Sequence, residues 1–189
     1  MVKWCNEFPD ISIDAWDYIF RSPWATTRET KIVFFQFKFL HRILPTNRLL
    51  YLMGKTDSQL CTFCQREVES IGHLFWDCTF SSTFILDVEG RFLGNQFVFS
   101  KQDIFFGYQY SLCHPYNFLI LHFKYYLFSC KLQSIKPNVN SFYYKFKFAL
   151  QTEEYIYFKW KRKSKGKINY LDLKDAFSVC ESLFEPIDS

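Results

Sequence analysis

Three cysteines and one histidine are spaced along residues 60–78, LCTFCQREVESIGHLFWDC, in a pattern that constrains the fold around them. The motif is Cys-x2-Cys-x8-His-x4-Cys, and its members are Cys61, Cys64, His73 and Cys78. Two cysteines separated by two residues can present both thiolates to one ion from a single tight turn. His73 and Cys78 are separated by four residues, so a short helical turn lets both approach that ion from the same side. The pattern therefore predicts a metal site with four protein ligands.

The ligand types favour zinc in a structural role. Three thiolates and one imidazole fill the four tetrahedral positions of zinc, whereas a catalytic zinc keeps one position for water. Soft ligands also favour zinc over magnesium or calcium. The alternative, three buried thiols and an unrelated histidine, must explain why three of seven cysteines and one of four histidines share this short stretch. We therefore expect one structural Zn²⁺, whose binding contributes directly to local folding.

Composition indicates a folded domain rather than a disordered chain. Of the 189 residues, 49% are apolar, which is enough for a hydrophobic core. The aromatic content is high, with 24 Phe, 12 Tyr and 5 Trp. Aromatic side chains bury a large area each, and they also stack on nucleic-acid bases. Burial is the commoner use, so composition by itself does not identify a binding surface.

The cellular setting is expected to be intracellular, in the nucleus or the cytoplasm. The N-terminus has no signal-peptide pattern, and no run of 18 apolar residues occurs. Seven cysteines, an odd number, fit a reducing compartment in which thiols bind metals rather than pair in disulfides. We therefore expect a soluble protein with no membrane partner and no small-molecule substrate.

Hydrophobic periodicity predicts a mostly α fold, a small helical domain around the zinc site followed by a long antiparallel helix pair. In DISIDAWDYIF, Ile13, Trp16 and Phe20 are predicted to share one apolar helix face. A short helix is predicted to start at a cap of Thr46 or Asn47 and to end at Gly54, and another to end near Gly90 or Gly94. Residues 22–31, SPWATTRETK, have the composition of a polar link, and residues 95–108 are interpreted as a linker of short extended pieces.

The predicted organisation has three parts. Residues 1–58 form a helical lead-in, and residues 59–95 form the zinc-binding module. Residues 96–189 form a C-terminal helical region that contains the long helix pair and a basic segment at residues 159–167.

A longer stretch, TRETKIVFFQFKFLHRILPTNRLLYLMGKTDSQLCTFCQREVESIGHLFWDC, resembles the zinc-binding region that follows the reverse transcriptase of LINE-type, non-LTR retrotransposons. The shared pattern is the TK…FQ…LHRILPTN helix pair, then Cys-x2-Cys and HLFWDC. The similarity runs from about Trp16 to about Leu93, and it is looser beyond. This resemblance implies a role in holding element RNA or target DNA near the polymerase. The implied partners are that nucleic acid and the reverse transcriptase portion of the same or a longer polyprotein.

Catalytic residues of that larger protein are not found in this sequence. Reverse transcriptases hold two metal ions with a Phe/Tyr-x-Asp-Asp turn, and this chain contains no Asp-Asp pair. It also has no plausible set of endonuclease or RNase H carboxylates. We therefore expect a non-catalytic accessory module that binds nucleic acid. The alternative is a structural or protein-docking module that packs against the polymerase without contacting nucleic acid.

Three groups of residues are candidates for nucleic-acid contacts. In the lead-in, Lys31, Lys38 and Arg42 recur at intervals of seven and four residues, which predicts one basic helix face, although such a face is often merely solvated. Beside the zinc site, Phe63 lies between two thiolates, where a side chain commonly points outward. Residues 159–167, KWKRKSKGK, could follow a phosphate backbone, although a nuclear address or a flexible linker also fits them. The candidates are Lys31, Lys38, Arg42, Arg48, Phe63, Arg66, Lys159, Trp160, Lys161, Arg162 and Lys163.

Overall fold

The computed structural model describes residues 2–94, 97–110, 113–160 and 168–178, together with Cys180 and Leu183. Within these residues the fold is mostly helical and has no β-strand, as predicted. The helices are α1 (Val2–Cys5), α2 (Ile13–Thr26), α3 (Thr30–Leu40), α4 (Asn47–Leu52), α5 (Thr79–Leu93), α6 (Lys101–Phe106), α7 (Pro115–Leu132), α8 (Val139–Trp160) and α9 (Tyr170–Ala176). A π-turn (His73–Asp77) precedes α5, and a 3-10 turn (Tyr108–Tyr110) follows α6.

The two longest helices, α7 and α8, form the predicted antiparallel pair. Phe118 near the start of α7 contacts Phe146 of α8 with ring centroids 5.7 Å apart. Two turns further along α7, Tyr126 contacts Phe142, which lies one turn earlier in α8, at 5.5 Å. Contacts that advance along one helix and retreat along the other show that the two run in opposite directions.

Helix α2 differs from the prediction in its buried face and its end. Ile13, expected on the apolar face, is 83% exposed, whereas Trp16 is buried as predicted and Phe20 is partly buried. Ile19, which was not part of the predicted face, is buried as well. The helix also continues through Pro23 to Thr26, so the first half of the predicted polar link is helical. Pro23 lies in the last turn, where its ring costs only one intrahelical hydrogen bond and its side chain is buried.

Helix α6 lies inside the segment that was expected to be an extended linker, so that expectation is wrong for residues 101–106. Its start is fixed by a capping box, in which the Ser100 hydroxyl accepts from the Asp103 amide and the Asp103 carboxylate accepts from the Ser100 amide. Other predicted helix ends are confirmed. Thr46 caps α4, and α5 ends at Gly94 in the left-handed region, with φ of 64°.

Aromatic side chains make up much of the core. Phe39 of α3 contacts Trp4 of α1 and Phe105 of α6, with ring centroids 5.9 and 5.3 Å apart. On the other side of the molecule, Phe92 of α5 packs against Phe146 of α8 at 5.2 Å. One continuous cluster of buried apolar side chains thus joins the helices around the predicted zinc site to the α7–α8 pair.

The division of the chain at residues 58/59 and 95/96 stays a prediction.

In the part of the chain that the structure describes, no helix is both long enough and apolar enough to cross a bilayer.

Candidate metal centre

The four predicted ligands lie together in space. One ligand atom from each of Cys61, Cys64, His73 and Cys78 falls within 4.8 Å of all the others. Cys61 and Cys78 are buried, and His73 is 9% exposed. Among the described residues, these four side chains form the cluster of histidine, cysteine and carboxylate groups that lie close enough together to hold a metal ion.

Two of the distances between ligand atoms are close to those of a tetrahedral zinc site. With a zinc–sulfur bond of about 2.3 Å, two thiolates of a regular tetrahedron are separated by about 3.8 Å. The Sγ atoms of Cys61 and Cys78 are 3.8 Å apart, and Cys64 Sγ lies 3.3 Å from His73 Nε2. Three sulfurs and one nitrogen at these separations fit a single structural zinc ion with all four positions occupied by protein.

A tight turn between two antiparallel segments presents Cys61 and Cys64. The Cys61 amide donates to the carbonyl of Glu67 at 2.8 Å, and the Gln65 amide donates to the carbonyl of Cys61 at 2.9 Å. Gln65 adopts φ of 56°, which reverses the chain directly after Cys64. The Phe63 amide points at Cys61 Sγ, 3.4 Å away. Such an N–H group stabilises a thiolate, as expected in a Cys-x2-Cys turn.

The π-turn positions the other two ligands. In an α-helix, residues five apart point away from each other, because each residue rotates by about 100°. A π-turn has more residues per turn and closes with a bond between residues five apart. Here the Cys78 amide donates to the carbonyl of His73 at 2.8 Å, so both side chains face the same side. The helical turn predicted from the sequence is therefore present, in its wider form.

Glu69 is a residue that the sequence interpretation missed. Its side chain is fully buried. One carboxylate oxygen accepts from the Asn47 amide at 2.8 Å and the other from the Thr62 amide at 2.7 Å. Lys131 Nζ of α7 lies 3.6 Å away. Glu69 thus ties the Cys61–Cys64 turn to the start of α4 and to α7, an arrangement that no local sequence signal announces.

Neighbouring groups separate the pKa values of two of the thiols. A hydrogen bond from Cys61, helped by the amides of Ser81 and Phe80, lowers the pKa of Cys78 to about 5. Donating that hydrogen bond, together with burial, raises the pKa of Cys61. Zinc binds the thiolate form of cysteine, so Cys61 must lose its proton when an ion binds.

Side chains between the ligands attach the site to the core. Phe75 of the π-turn is fully buried and contacts Phe39 and Phe35 of α3, with ring centroids 5.1 and 6.0 Å away. The expectation that Phe63 points outward is wrong, because its side chain is only 4% exposed. Phe63 packs into the apolar cluster under the turn, where it is not accessible to a nucleic-acid base.

The basic candidates of the lead-in do not form one free face. Lys38 is exposed on α3, whereas the Nζ of Lys31 lies 2.8 Å from Glu29. Helix α3 ends at Leu40, so Arg42 lies beyond it with φ of 57°. The Arg42 guanidinium stacks 3.7 Å above the Trp4 ring and pairs with Glu7, so the predicted shared helix face is wrong for this residue.

The remaining candidates lie in separate places. Arg48 on α4 and Arg66 beside the Cys61–Cys64 turn are both exposed. Lys159 is exposed near the end of α8, where its Nζ bonds the Tyr155 hydroxyl at 2.5 Å. Trp160 ends α8, but its side chain and the candidates Lys161, Arg162 and Lys163 lie outside the described residues.

Comparison with known proteins identifies the part of the chain that carries the metal ligands. A family model described as "zinc-binding in reverse transcriptase" matches residues 10–84. No curated protein and no solved structure matches the chain significantly. The matched range contains all four ligands, Glu69 and the helices α2, α3 and α4 that surround them. Residues 10–84 are thus similar to the zinc-binding domain of reverse transcriptases, and their Cys3His cluster fits that domain's structural zinc site.

Proposed function

We propose that this chain is a non-catalytic, nucleic-acid-binding accessory module of a LINE-type, non-LTR retrotransposon reverse transcriptase, and that it helps hold element RNA or target DNA. The observation that carries the proposal is the closed Cys3His cluster inside a segment similar to the zinc-binding domain of reverse transcriptases. Four protein ligands leave zinc no position for water, which fits a scaffold rather than a hydrolytic centre.

The distribution of basic residues supports a polyanionic partner. Lys38, Arg48 and Arg66 are exposed around the zinc-binding segment. Six of the nine residues at 159–167 are basic. Lysine and arginine side chains neutralise phosphates and release counterions, which drives most of the affinity for nucleic acid.

A second candidate function, docking onto the polymerase, has its own supporting observation. Trp24 of α2 and Phe34 of α3 are 54% and 56% exposed, and their rings contact each other at 6.2 Å. Phe37 of α3 is exposed as well. Large exposed aromatic side chains that lie together often mark a protein-binding surface.

The test is a binding titration of the zinc-loaded chain with labelled single-stranded RNA, an RNA hairpin and duplex DNA, at low and physiological salt. We expect micromolar or tighter binding of one ligand, with an affinity that falls steeply as salt increases. The double variant Cys61→Ser, Cys64→Ser is expected to lose that binding. Cys113→Ser, which alters a cysteine outside the cluster, is the matched control and is expected to bind normally.

Absence of binding to all three ligands, with one zinc per chain confirmed by metal analysis, would contradict the proposal. The docking function then predicts that the isolated chain self-associates, and that Trp24→Ser reduces this association in analytical ultracentrifugation.

A further inference from the structure

Helix α8 presents an exposed face that is aromatic along most of its length. Tyr144, Phe148, Tyr155 and Phe158 recur at intervals of four, seven and three residues, which places them on one side of the helix. Phe148 is 67% exposed and Tyr144 is 64% exposed. The opposite side of α8 packs in the core through Phe142, Phe146 and Leu150, so the helix is held in place mainly from that side.

The first half of this aromatic face borders a cleft between α8 and helices α3 and α7. The cleft has a volume of about 690 Å³, within the range of sites that hold small organic groups. Aromatic rings supply much of its lining, among them Tyr125 and Tyr126 of α7 and Phe146 of α8. Tyr144 and Phe148 belong to the same lining, so the exposed face leads directly into it.

The charge of this surface favours an anion. Lys145 and Lys31 line the cleft, with Lys145 Nζ 5.1 Å from the Tyr126 ring centroid and Lys31 5.7 Å from that of Tyr125. Among the described side chains of α8, both carboxylates have partners. Glu153 is buried against Arg28, and Glu154 accepts a hydrogen bond from Tyr170 at 2.7 Å. Glu29, the carboxylate that lines the cleft, is paired with Lys31.

The aromatic face also continues toward the most basic stretch of the sequence. Tyr155 and Phe158 are followed by Lys159, which is exposed on the same side of α8. The chain then passes into residues 161–167, KRKSKGK. Aromatic rings that are spaced along an extended surface and accompanied by lysines have the composition of a single-strand binding surface, because bases stack on the rings while the backbone follows the cations.

We propose that the α8 face, defined by Tyr144, Phe148, Tyr155 and Phe158, binds single-stranded nucleic acid, with a base entering the cleft beside Phe148 and the phosphate backbone following Lys145 and Lys159. This inference rests on the proposed function and deepens it, since it adds a base-stacking contact on α8 to the contacts expected around the zinc-binding segment. The bases of a duplex are stacked inside it and do not reach such rings, so the surface selects unpaired strands.

The experiment measures fluorescence anisotropy of a labelled 20-nucleotide oligouridine and of a duplex of equal length, using the full zinc-loaded chain. Phe148→Ala is expected to weaken oligouridine binding by about fivefold or more, the lower end of base-stacking effects. Tyr18→Ala removes an exposed aromatic side chain from α2 and is the control, with unchanged affinity expected. Lys145→Gln is expected to reduce the slope of log affinity against log salt by about 0.7, whereas Lys174→Gln on α9 leaves it unchanged.

The outcomes separate this inference from the proposed function. If the chain binds oligouridine and the variants Phe148→Ala and Tyr18→Ala bind it equally well, the α8 surface is wrong while nucleic-acid binding stands. If Phe148→Ala changes only the self-association of the chain, the surface is a protein interface and the inference is overturned. If the chain binds neither probe nor the other nucleic acids tested, both proposals fail. Photocrosslinking of 5-iodouridine-containing strands to α8 peptides would support the inference independently.

Discussion

At the scale of single residues, Glu69 explains why the Cys61–Cys64 turn has one conformation. Its buried carboxylate accepts from two backbone amides, those of Thr62 and Asn47, that would otherwise lack partners. Hydrogen bonds to a charged acceptor are about twice as strong as neutral ones, and an unpaired buried amide is costly. Because Thr62 directly follows Cys61, the carboxylate fixes the orientation of a metal ligand without touching the metal.

Replacing Glu69 with glutamine is therefore expected to weaken zinc binding by about tenfold or more, as loss of outer-shell partners commonly does. The glutamine amide group would face an N–H donor where the carboxylate oxygen now accepts. Competition with a zinc-chelating dye measures the affinity. Glu67→Gln changes an exposed neighbouring carboxylate and is the matched control. Equal affinities of the two variants would show that Glu69 does not position the ligands.

The residue scale also shows what sequence can predict of the site. The four ligands were predictable because thiol and imidazole chemistry and their short spacing are both visible in the sequence. Glu69 was not, since its partners Asn47 and Lys131 lie 22 and 62 positions away and meet it only in the folded chain. Phe63 was misjudged for the same reason, because the core it packs against comes from distant segments.

His122 makes the stability of the fold depend on pH. Burial lowers the pKa of His122 to about 4, although Glu29, with a carboxylate oxygen 3.9 Å from Nε2, opposes the shift. An unfolded histidine has a pKa of about 6.5, so between these values the unfolded chain binds a proton that the folded chain does not. The stabilisation is complete above pH 6.5 and is lost as the pH falls toward 4.

We expect the free energy of unfolding to fall by about 2 kcal/mol more between pH 7 and pH 5 in the wild-type chain than in His122→Phe. Phenylalanine keeps the ring contacts with Phe118 and Phe146 but cannot be protonated. Urea unfolding at the two pH values gives the comparison, and any effect of pH on the zinc ligands is common to both proteins. The same loss in both would show that His122 is not the group responsible.

At the scale of elements, helix ends were predicted better than helix faces. Thr46 and Gly54 flank α4, and Gly94 follows α5, because caps and left-handed residues leave local signals. Ser100 and Asp103 were such a signal for α6 that the interpretation overlooked. The residues of α2 that are buried could not be predicted from the local sequence. Whether Ile13 or Ile19 faces the core depends on which helices pack against it.

Gly54 tests the conformational requirement at the end of α4. Its φ of 65° lies in the left-handed region, and a Cβ added there meets no atom within 4 Å. Any cost of Gly54→Ala therefore comes from the backbone rather than from a clash. We expect a loss of about 1 kcal/mol in the free energy of unfolding, and a smaller loss for Gly54→Asn, because asparagine tolerates this conformation. Urea unfolding of the three proteins distinguishes them. Alanine and asparagine variants of equal stability would argue against a left-handed residue here.

At the scale of the whole molecule, the zinc site meets the α7–α8 pair through aromatic contacts and the Glu69–Lys131 ion pair, and neither helix supplies a metal ligand. Phe75 links the π-turn to α3, and Phe35 of α3 contacts Tyr125 and Phe128 of α7. The α7–α8 contacts and those of Phe84 and Phe92 with α8 involve no metal ligand. The high aromatic content predicted a core, but it did not predict which aromatic rings connect the zinc site to α3 and α7 and which connect α5 and α7 to α8. Those contacts depend on which rings the fold brings together.

Removing zinc is therefore expected to affect the two regions differently. Residues 59–78 bury few apolar side chains of their own, and metal binding supplies much of their folding free energy. A chelator should expose their amides to hydrogen exchange, whereas amides in residues 118–130 and 142–150 keep most of their protection, because the aromatic contacts between α5, α7 and α8 remain. Hydrogen–deuterium exchange with mass spectrometry, with and without chelator, measures both regions in one sample.

Added zinc should restore the lost protection, and the Cys61→Ser, Cys64→Ser variant should not respond to chelator. Simultaneous loss of protection in α7 and α8 would mean that Phe75 couples the whole molecule into one cooperative unit, and zinc would then stabilise the entire chain.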